Sequence, residues 1–249
     1  MKQWEAIAKN YEVERDTLSF PALLIDGLVC KLLGNGAGRA LLDYGAGSGT
    51  LSRLSCRQGY RVLAYDPMPE MRAIFERLTP HDAYGAIALL ADASAIPGST
   101  FDVILCINIF DHVLDIPAVL SRFRDALKPN GRLILSIPHP LKNLGGWVKE
   151  QHQGEWRYLY YRLNDYLKEG EVKRSREDVN GNLIISEVVS QHRTISTYYN
   201  WIIEAGFTVE RMYEPAPEPE DESRFPILYT QCVRIPYFWI LDCSLRKSA

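Results

Sequence analysis

The sequence predicts an α/β protein built on a parallel sheet with helices on both faces, and three observations carry that expectation. Residues 38–137 alternate short apolar runs with amphipathic, helix-length stretches, the pattern of strands joined by right-handed crossovers. The first run, Ala40–Tyr44, passes straight into Gly45, Gly47 and Gly49. A strand, a glycine turn and a helix start together make a nucleotide-binding corner. The next two runs end in acids, Asp66 and Asp92, at the sheet edge where such folds bind ligands.

Residues 1–37 read as a helical lid with a break near Ser19-Phe20-Pro21; Leu23, Leu24, Leu28, Cys30, Leu32 and Leu33 give it a wide apolar face. The first strand, Ala40–Tyr44, is followed by a helix over 50–58. The second strand, Arg61–Tyr65, ends in Asp66-Pro67-Met68, and the third, 85–90, ends in Ala91-Asp92-Ala93. The fourth strand spans Phe101–Ile107. The helix over 116–127 carries Val119, Leu120, Phe123 and Leu127 on a core-facing stripe, and Pro117 sits in its first turn, where proline is tolerated. Leu127-Lys128-Pro129-Asn130-Gly131 stops that helix and introduces a fifth strand over 131–137.

Residues 141–190 break the alternation. They are rich in charge and aromatics (Trp147, Trp156, Tyr158, Tyr160, Tyr161, Tyr166), and Asn180-Gly181 between 171–176 and 183–189 predicts a hairpin. A segment of this length between core elements is usually functional, which makes it a cap over a substrate mouth or a dimer-forming arm. The helix over 195–205 places Tyr198, Trp201, Ile202 and Ala205 on one face and stops at Gly206. A strand over 207–213, an acidic proline-rich loop over 214–222 expected to be solvated and mobile, and a final strand over 237–245 complete the chain. The organisation is thus a lid (1–37), a core (38–140), an inserted cap (141–190) and the C-terminal part of the core sheet (191–249).

A chain of 249 residues can bury one sizeable core, alone or with an inserted cap. Its net charge of −3 does not indicate a broad nucleic-acid surface. No run of 18 apolar residues is present, and Met1-Lys2-Gln3-Trp4-Glu5 lacks an apolar signal core. Cys30, Cys56, Cys106, Cys232 and Cys243 are odd in number, scattered and without a C-x-x-C pair, so neither a disulfide framework nor a metal site is indicated. The expectation is a reduced, cytoplasmic protein, monomeric or homodimeric, with no membrane or nucleic-acid partner.

In order, LLDYGAGSG (41–49), YDPM (65–68), ADASAIP (91–97), FDVILCINIFDHV (101–113) and LKPNGRLILSIPHP (127–140) resemble the motifs of the class I S-adenosylmethionine (SAM) dependent methyltransferases. The likeness is close over about 38–140 and looser at both ends. WEAIAKNY (4–11) is similar to the segment that folds over SAM. Gln191-His192-Arg193-Thr194 and Glu204-Ala205-Gly206-Phe207 resemble the small-molecule branch of the family. A dinucleotide fingerprint counted from Gly45 would need its third glycine at position 50, which is Thr50; the glycine stands at Gly49 instead, the methyltransferase spacing. Tyr44 and Ala46 depart from the residues more usual in the family. The resemblance implies a Rossmann-like seven-stranded sheet in the order 3-2-1-4-5-7-6 with the last strand antiparallel.

It also implies a site. Gly45, Ala46 and Gly47 approach the aminoacyl and ribose part of SAM. Asp66 takes the ribose hydroxyls, with Pro67 beside it and Met68 on the adenine. Asp92 takes the adenine amine and Ala93 adds a backbone contact. Asn108 follows the fourth strand beside the methionyl end, and His112, after the same strand, has a cofactor or a structural role. Asp43 orders the loop or reaches the SAM amine through water, and Tyr11 closes the lid over the cofactor. His139 and His192 are the candidates for acceptor binding or general-base work, each with a structural alternative.

The implied reaction is in-line transfer of the SAM methyl to an O or N atom of a small molecule, in secondary-metabolite or cofactor biosynthesis, with S-adenosylhomocysteine (SAH) as product. No metal is required, and orientation alone can supply roughly 7–11 kcal/mol of barrier reduction. Asn108-Ile109-Phe110-Asp111 is not the Asn/Asp-Pro-Pro-Tyr of the DNA-amino and glutamine enzymes. Cys106 lies within a strand, unlike a cytosine-C5 nucleophile, and no acid cluster suggests a metal-dependent catechol enzyme. A protein or peptide methyltransferase and a SAM-binding protein that does not methylate are the alternatives.

Overall fold

A computed structural model describes residues 22–82, 84–177 and 183–246. Tyr11, the rest of segment 1–21 and the Asn180-Gly181 turn lie outside the described residues. The elements are α1 (Gly27–Leu33), β1 (Ala40–Tyr44), α2 (Thr50–Arg57), β2 (Arg61–Tyr65), α3 (Pro69–Leu78), β3 (Ile87–Leu90), β4 (Phe101–Ile107), α4 (Ile116–Ala126), β5 (Leu127–Pro138), α5 (Pro140–Asn143), β6 (Gly145–His152), β7 (Glu155–Leu163), β8 (Gly170–Glu177), β9 (Leu183–His192), α6 (Ile195–Glu204), β10 (Phe207–Tyr213), α7 (Asp221–Arg224), α8 (Pro226–Cys232) and β11 (Phe238–Leu245).

The main sheet has seven strands in the order β10-β11-β5-β4-β1-β2-β3. With β10 and β11 as sixth and seventh core strands, this is the expected 3-2-1-4-5-7-6. β1 pairs parallel with β2 and β4, β4 with β5 and β2 with β3, whereas β11 runs antiparallel to both β5 and β10. The central strands are buried on both faces. Leu42, Ile104 and Leu133 join one apolar cluster, and their neighbours Leu41, Val103 and Ile134 join a second on the opposite face. This is the period-two division of a sheet covered on both sides. Leu24, Ile25, Val29 and Leu33 pack into the second cluster, and Arg132 Nη1 donates to the Leu32 carbonyl at 3.2 Å.

Three features differ from the sequence reading. β5 begins at Leu127 rather than 131, because Phe101 pairs with Leu127 across a register shift in β4. β6 and β7 form a hairpin that the aromatic content of 141–190 did not reveal; its signal is the turn Gln153-Gly154, both at positive φ (52° and 87°), as a tight hairpin turn requires. Segment 214–222 is not wholly solvated. Pro217 is buried, Asp221 opens α7 and Glu214 is bonded to a buried histidine. β8 and β9 pair antiparallel, as the hairpin reading of 171–189 anticipated. Among the described residues no helix is long and apolar enough to cross a membrane.

Candidate active site

The site is assembled from the loops that leave the carboxyl ends of β1 to β4. Gly45, Gly47 and Gly49 all have positive φ (79°, 56° and 81°), which side chains other than glycine adopt at a cost. Space demands glycine as well. A Cβ at Gly45 would lie 2.4 Å from Ile109 Cδ1, and one at Gly49 would lie 2.5 Å from the Phe75 ring. Gly45 and Ala46 donate their amides to the Tyr65 carbonyl at 2.7 and 2.9 Å, which binds the turn to the end of β2. Asp43 in β1 is buried and accepts from Ser52 Oγ at 2.6 Å, tying the strand to α2.

Asp66 is the acid that organises this loop. Its Oδ2 accepts from the Gly47 amide at 2.8 Å and its Oδ1 from the Met68 amide at 2.9 Å. The carboxyl is 5% exposed. Burial pushes it above the usual carboxylate range, opposed by those two amides and by Arg72. Pro67 is exposed beside it, and Met68 is half-buried at the N-cap of α3. At the end of β3, Asp92 is exposed and caps the 3₁₀ turn Ala93–Ala95. It accepts from the Ser94 amide at 2.8 Å and Ser94 Oγ at 2.7 Å, and those bonds hold it below the usual range. Ala93 packs against the first apolar cluster.

After β4, Asn108 adopts φ 57°, a left-handed conformation that asparagine tolerates. It is held by Ser136 of the neighbouring strand, to whose carbonyl it donates at 2.8 Å and from whose hydroxyl it accepts at 3.1 Å. His112 closes the following 3₁₀ turn, its Nε2 3.6 Å from Asp111 Oδ2. Asp43, Gly45 to Gly47, Asp66 to Met68, Asp92, Ala93, Asn108 and His112 therefore stand along one edge of the sheet, on adjacent strands.

His139 and His192 come from other elements, the end of β5 and the end of β9. His139 follows β5 and is buried. Its Nδ1 accepts from the Leu141 amide at 3.2 Å, capping α5, and its Nε2 donates to Glu214 Oε1 at 3.0 Å. Both ring nitrogens are thus in use. Burial pushes the imidazole down, and Glu214 pulls it part of the way back. His192 ends β9 and is fully buried. Its Nε2 donates to the Tyr166 carbonyl at 2.8 Å, which leaves the lone pair on Nδ1, and among the described residues Nδ1 has no hydrogen-bond partner.

The depressed His139 value has a consequence for stability. The folded protein binds this proton less readily than the unfolded chain, so the group's contribution is full above the ordinary value of 6.5 and is lost as pH falls through the folded value. Between pH 7.5 and 5.5 the urea midpoint is therefore expected to fall more steeply in the wild type than in His139→Gln; equal slopes would refute this assignment.

A family profile described as "methyltransferase domain" matches residues 21–211. The chain belongs to the class I SAM-dependent methyltransferases. An uncharacterized protein of Haemophilus influenzae is 30% identical to this methyltransferase over 227 residues, covering 86% of this chain and 85% of that one. A ubiquinone biosynthesis O-methyltransferase of Xanthomonas axonopodis is 33% identical over 106 residues, 40% of this chain and 43% of that relative. Among solved structures, a SAM-dependent methyltransferase of Mesorhizobium loti superposes with a TM-score of 0.69 at 23% identity, covering 87% of this chain and 96% of that one.

The residues present fit the cofactor. The glycine turn, held at positive φ, keeps side chains off the backbone at the end of β1, and the acids at the ends of β2 and β3 can accept from donors of a nucleoside. Sequence reasoning missed Glu214, which lay in an acidic run that reads as solvent-facing, and gave Arg193 no role. It also passed over Glu169, a loop acid whose Oε1 accepts from the Thr194 amide, Thr194 Oγ1 and Thr197 Oγ1.

Proposed function

We propose that this methyltransferase acts on a hydroxyl or amine of a small molecule, with His192 as the proton acceptor and Glu214 as a carboxylate facing the acceptor. The single observation that carries this reading is His192 Nδ1, a buried lone pair without a partner among the described residues, beside an Nε2 already committed to a carbonyl. Leaving a buried acceptor unsatisfied costs about 1–3 kcal/mol, and such groups in folded proteins call for an explanation. An O–H or N–H of the acceptor supplies the missing partner. A base placed there is worth about 10²–10⁴ in rate where the nucleophile must lose a proton.

His139 then serves Glu214. Its Nε2–H fixes one carboxylate oxygen, while the Glu214 side chain remains 58% exposed at the rim. Bound SAM supplies an already activated methyl group. The chain's own residues hold it: Asp66 and Asp92 fix the nucleoside end, the Gly45–Gly47 turn and Asn108 flank the methionyl end, Asp43 and His112 support these loops, and Tyr11 closes the lid. Segment 141–190 caps the acceptor. The Xanthomonas relative, named for an O-methylation in ubiquinone biosynthesis, supports a small-molecule acceptor in cofactor or secondary-metabolite biosynthesis. The reading includes a cytoplasmic monomer or homodimer without a nucleic-acid partner.

The test is SAH release from SAM against a panel of phenols, hydroxylated quinones and amines, with denatured protein and peptide pools as controls. Turnover on one small-molecule class is expected. Turnover on peptides alone would refute the acceptor assignment.

A further inference from the structure

His192, Arg193 and Thr194 are consecutive, and each is fastened to a different part of the molecule. His192 Nε2 donates to the Tyr166 carbonyl. Thr194 donates its amide and hydroxyl to Glu169 at 2.8 and 2.9 Å. The Ile195 amide donates to Tyr166 Oη at 3.0 Å. Tyr166 and Glu169 both belong to the segment that joins the β6–β7 hairpin to the β8–β9 hairpin, so the link between the two hairpins is bolted to the start of α6.

Arg193 reaches elsewhere. Its Nη1 donates to the Phe110 carbonyl at 3.2 Å, and its Nη2 donates to the Val113 and Leu114 carbonyls at 2.8 and 3.2 Å. The residue is buried, and its guanidinium carbon lies 5.4 Å from the centre of the Trp201 ring on α6. All three carbonyls belong to the turn after β4 that begins with Asn108 and contains His112. A planar guanidinium can span three converging carbonyls from two of its nitrogens, which a lysine ammonium cannot match in geometry.

We infer that Arg193 is a positioning residue for the cofactor: it fixes the turn after β4 against the anchorage of the cap, so that cofactor affinity depends on how the 164–169 link is held. This rests on the reading that Asn108 and His112 border the cofactor and that 141–190 forms the cap. A purely structural arginine would lower stability without changing the affinity of the molecules that remain folded. A positioning arginine changes both.

The experiment is isothermal titration of SAH into the full chain and its variants Arg193→Gln, Arg193→Lys, Glu169→Ala and Asn108→Ala, with hydrogen exchange of residues 108–114 measured on the same samples. Arg193→Gln is expected to weaken SAH binding by about 10-fold, with faster exchange over 109–114. Arg193→Lys should fall between it and the wild type. Glu169→Ala should weaken SAH binding by a smaller factor, and the double variant Arg193→Gln/Glu169→Ala should lose less than the product of the two.

SAH affinity within twofold of wild type in both Arg193 variants, with Asn108→Ala weakened, would overturn the role of Arg193 alone. No change in any variant, Asn108→Ala included, would overturn the underlying reading of the turn as a cofactor contact. No change in Glu169→Ala alongside a weakened Arg193 variant would overturn the link to the cap. If Arg193→Gln does not fold, Arg193→Lys and Glu169→Ala decide the matter by the same criteria.

Discussion

Asp66→Ala is expected to weaken SAH binding by about 100-fold or more while leaving a folded protein. The carboxylate does two things at once. It holds the glycine turn closed through the Gly47 and Met68 amides, and in the proposed site it keeps acceptor capacity for the cofactor's hydroxyls. A hydrogen bond to a charged group is worth about 1.5–3 kcal/mol, and each 1.4 kcal/mol is about tenfold in affinity, so loss of one such contact and loosening of the turn reach that size together. The stability change is expected to be smaller, because burial already disfavours the charged form of this group and pushes its pKa up. The measurement pairs SAH titration with urea unfolding. Affinity within threefold of wild type in a folded Asp66→Ala protein would show that the cofactor is held elsewhere.

The second large effect is expected at His192. Glutamine at this position can still donate to the Tyr166 carbonyl but offers no basic lone pair. His192→Gln should therefore retain SAH affinity and cap anchorage while kcat falls by about 10²–10⁴, the usual worth of a general base. His139→Gln should give a smaller loss, because both of its ring nitrogens are already engaged and its effect reaches the acceptor only through Glu214. A His192→Gln enzyme with a near-normal kcat would remove His192 from the chemistry. A loss of SAH binding in that variant would place the residue on the cofactor side instead.

Much of the architecture is legible in short windows of the chain. Continuous apolar runs mark both-faced burial in β1, β4 and β5, and Gly45, Gly47 and Gly49 mark a turn that must adopt positive φ. The acids Asp66 and Asp92 are legible because they stand immediately past strand ends. The β6–β7 hairpin was missed because its turn is Gln153-Gly154 rather than an asparagine- or aspartate-glycine pair. The early start of β5 was hidden by a register shift between two strands, which neither strand's own sequence records.

By itself, then, the sequence determined the doubly wound sheet, the strand order implied by its motif series and the cofactor edge. The sheet and its ligand-binding edge rest on backbone conformation and burial periodicity, properties that neighbouring residues settle among themselves, whereas the strand order rests on the resemblance of the motif series to the methyltransferases. Only the tertiary structure decided the states of the two candidate bases. His139 meets Glu214 across 75 residues, and that contact turns a free-looking imidazole into a saturated one and a solvent-facing acid into a held one. Arg193 meets the turn after β4 across 79 to 83 residues. A side chain's protonation, tautomer and partner depend on what burial brings against it, and no local pattern along the chain encodes which distant group that is.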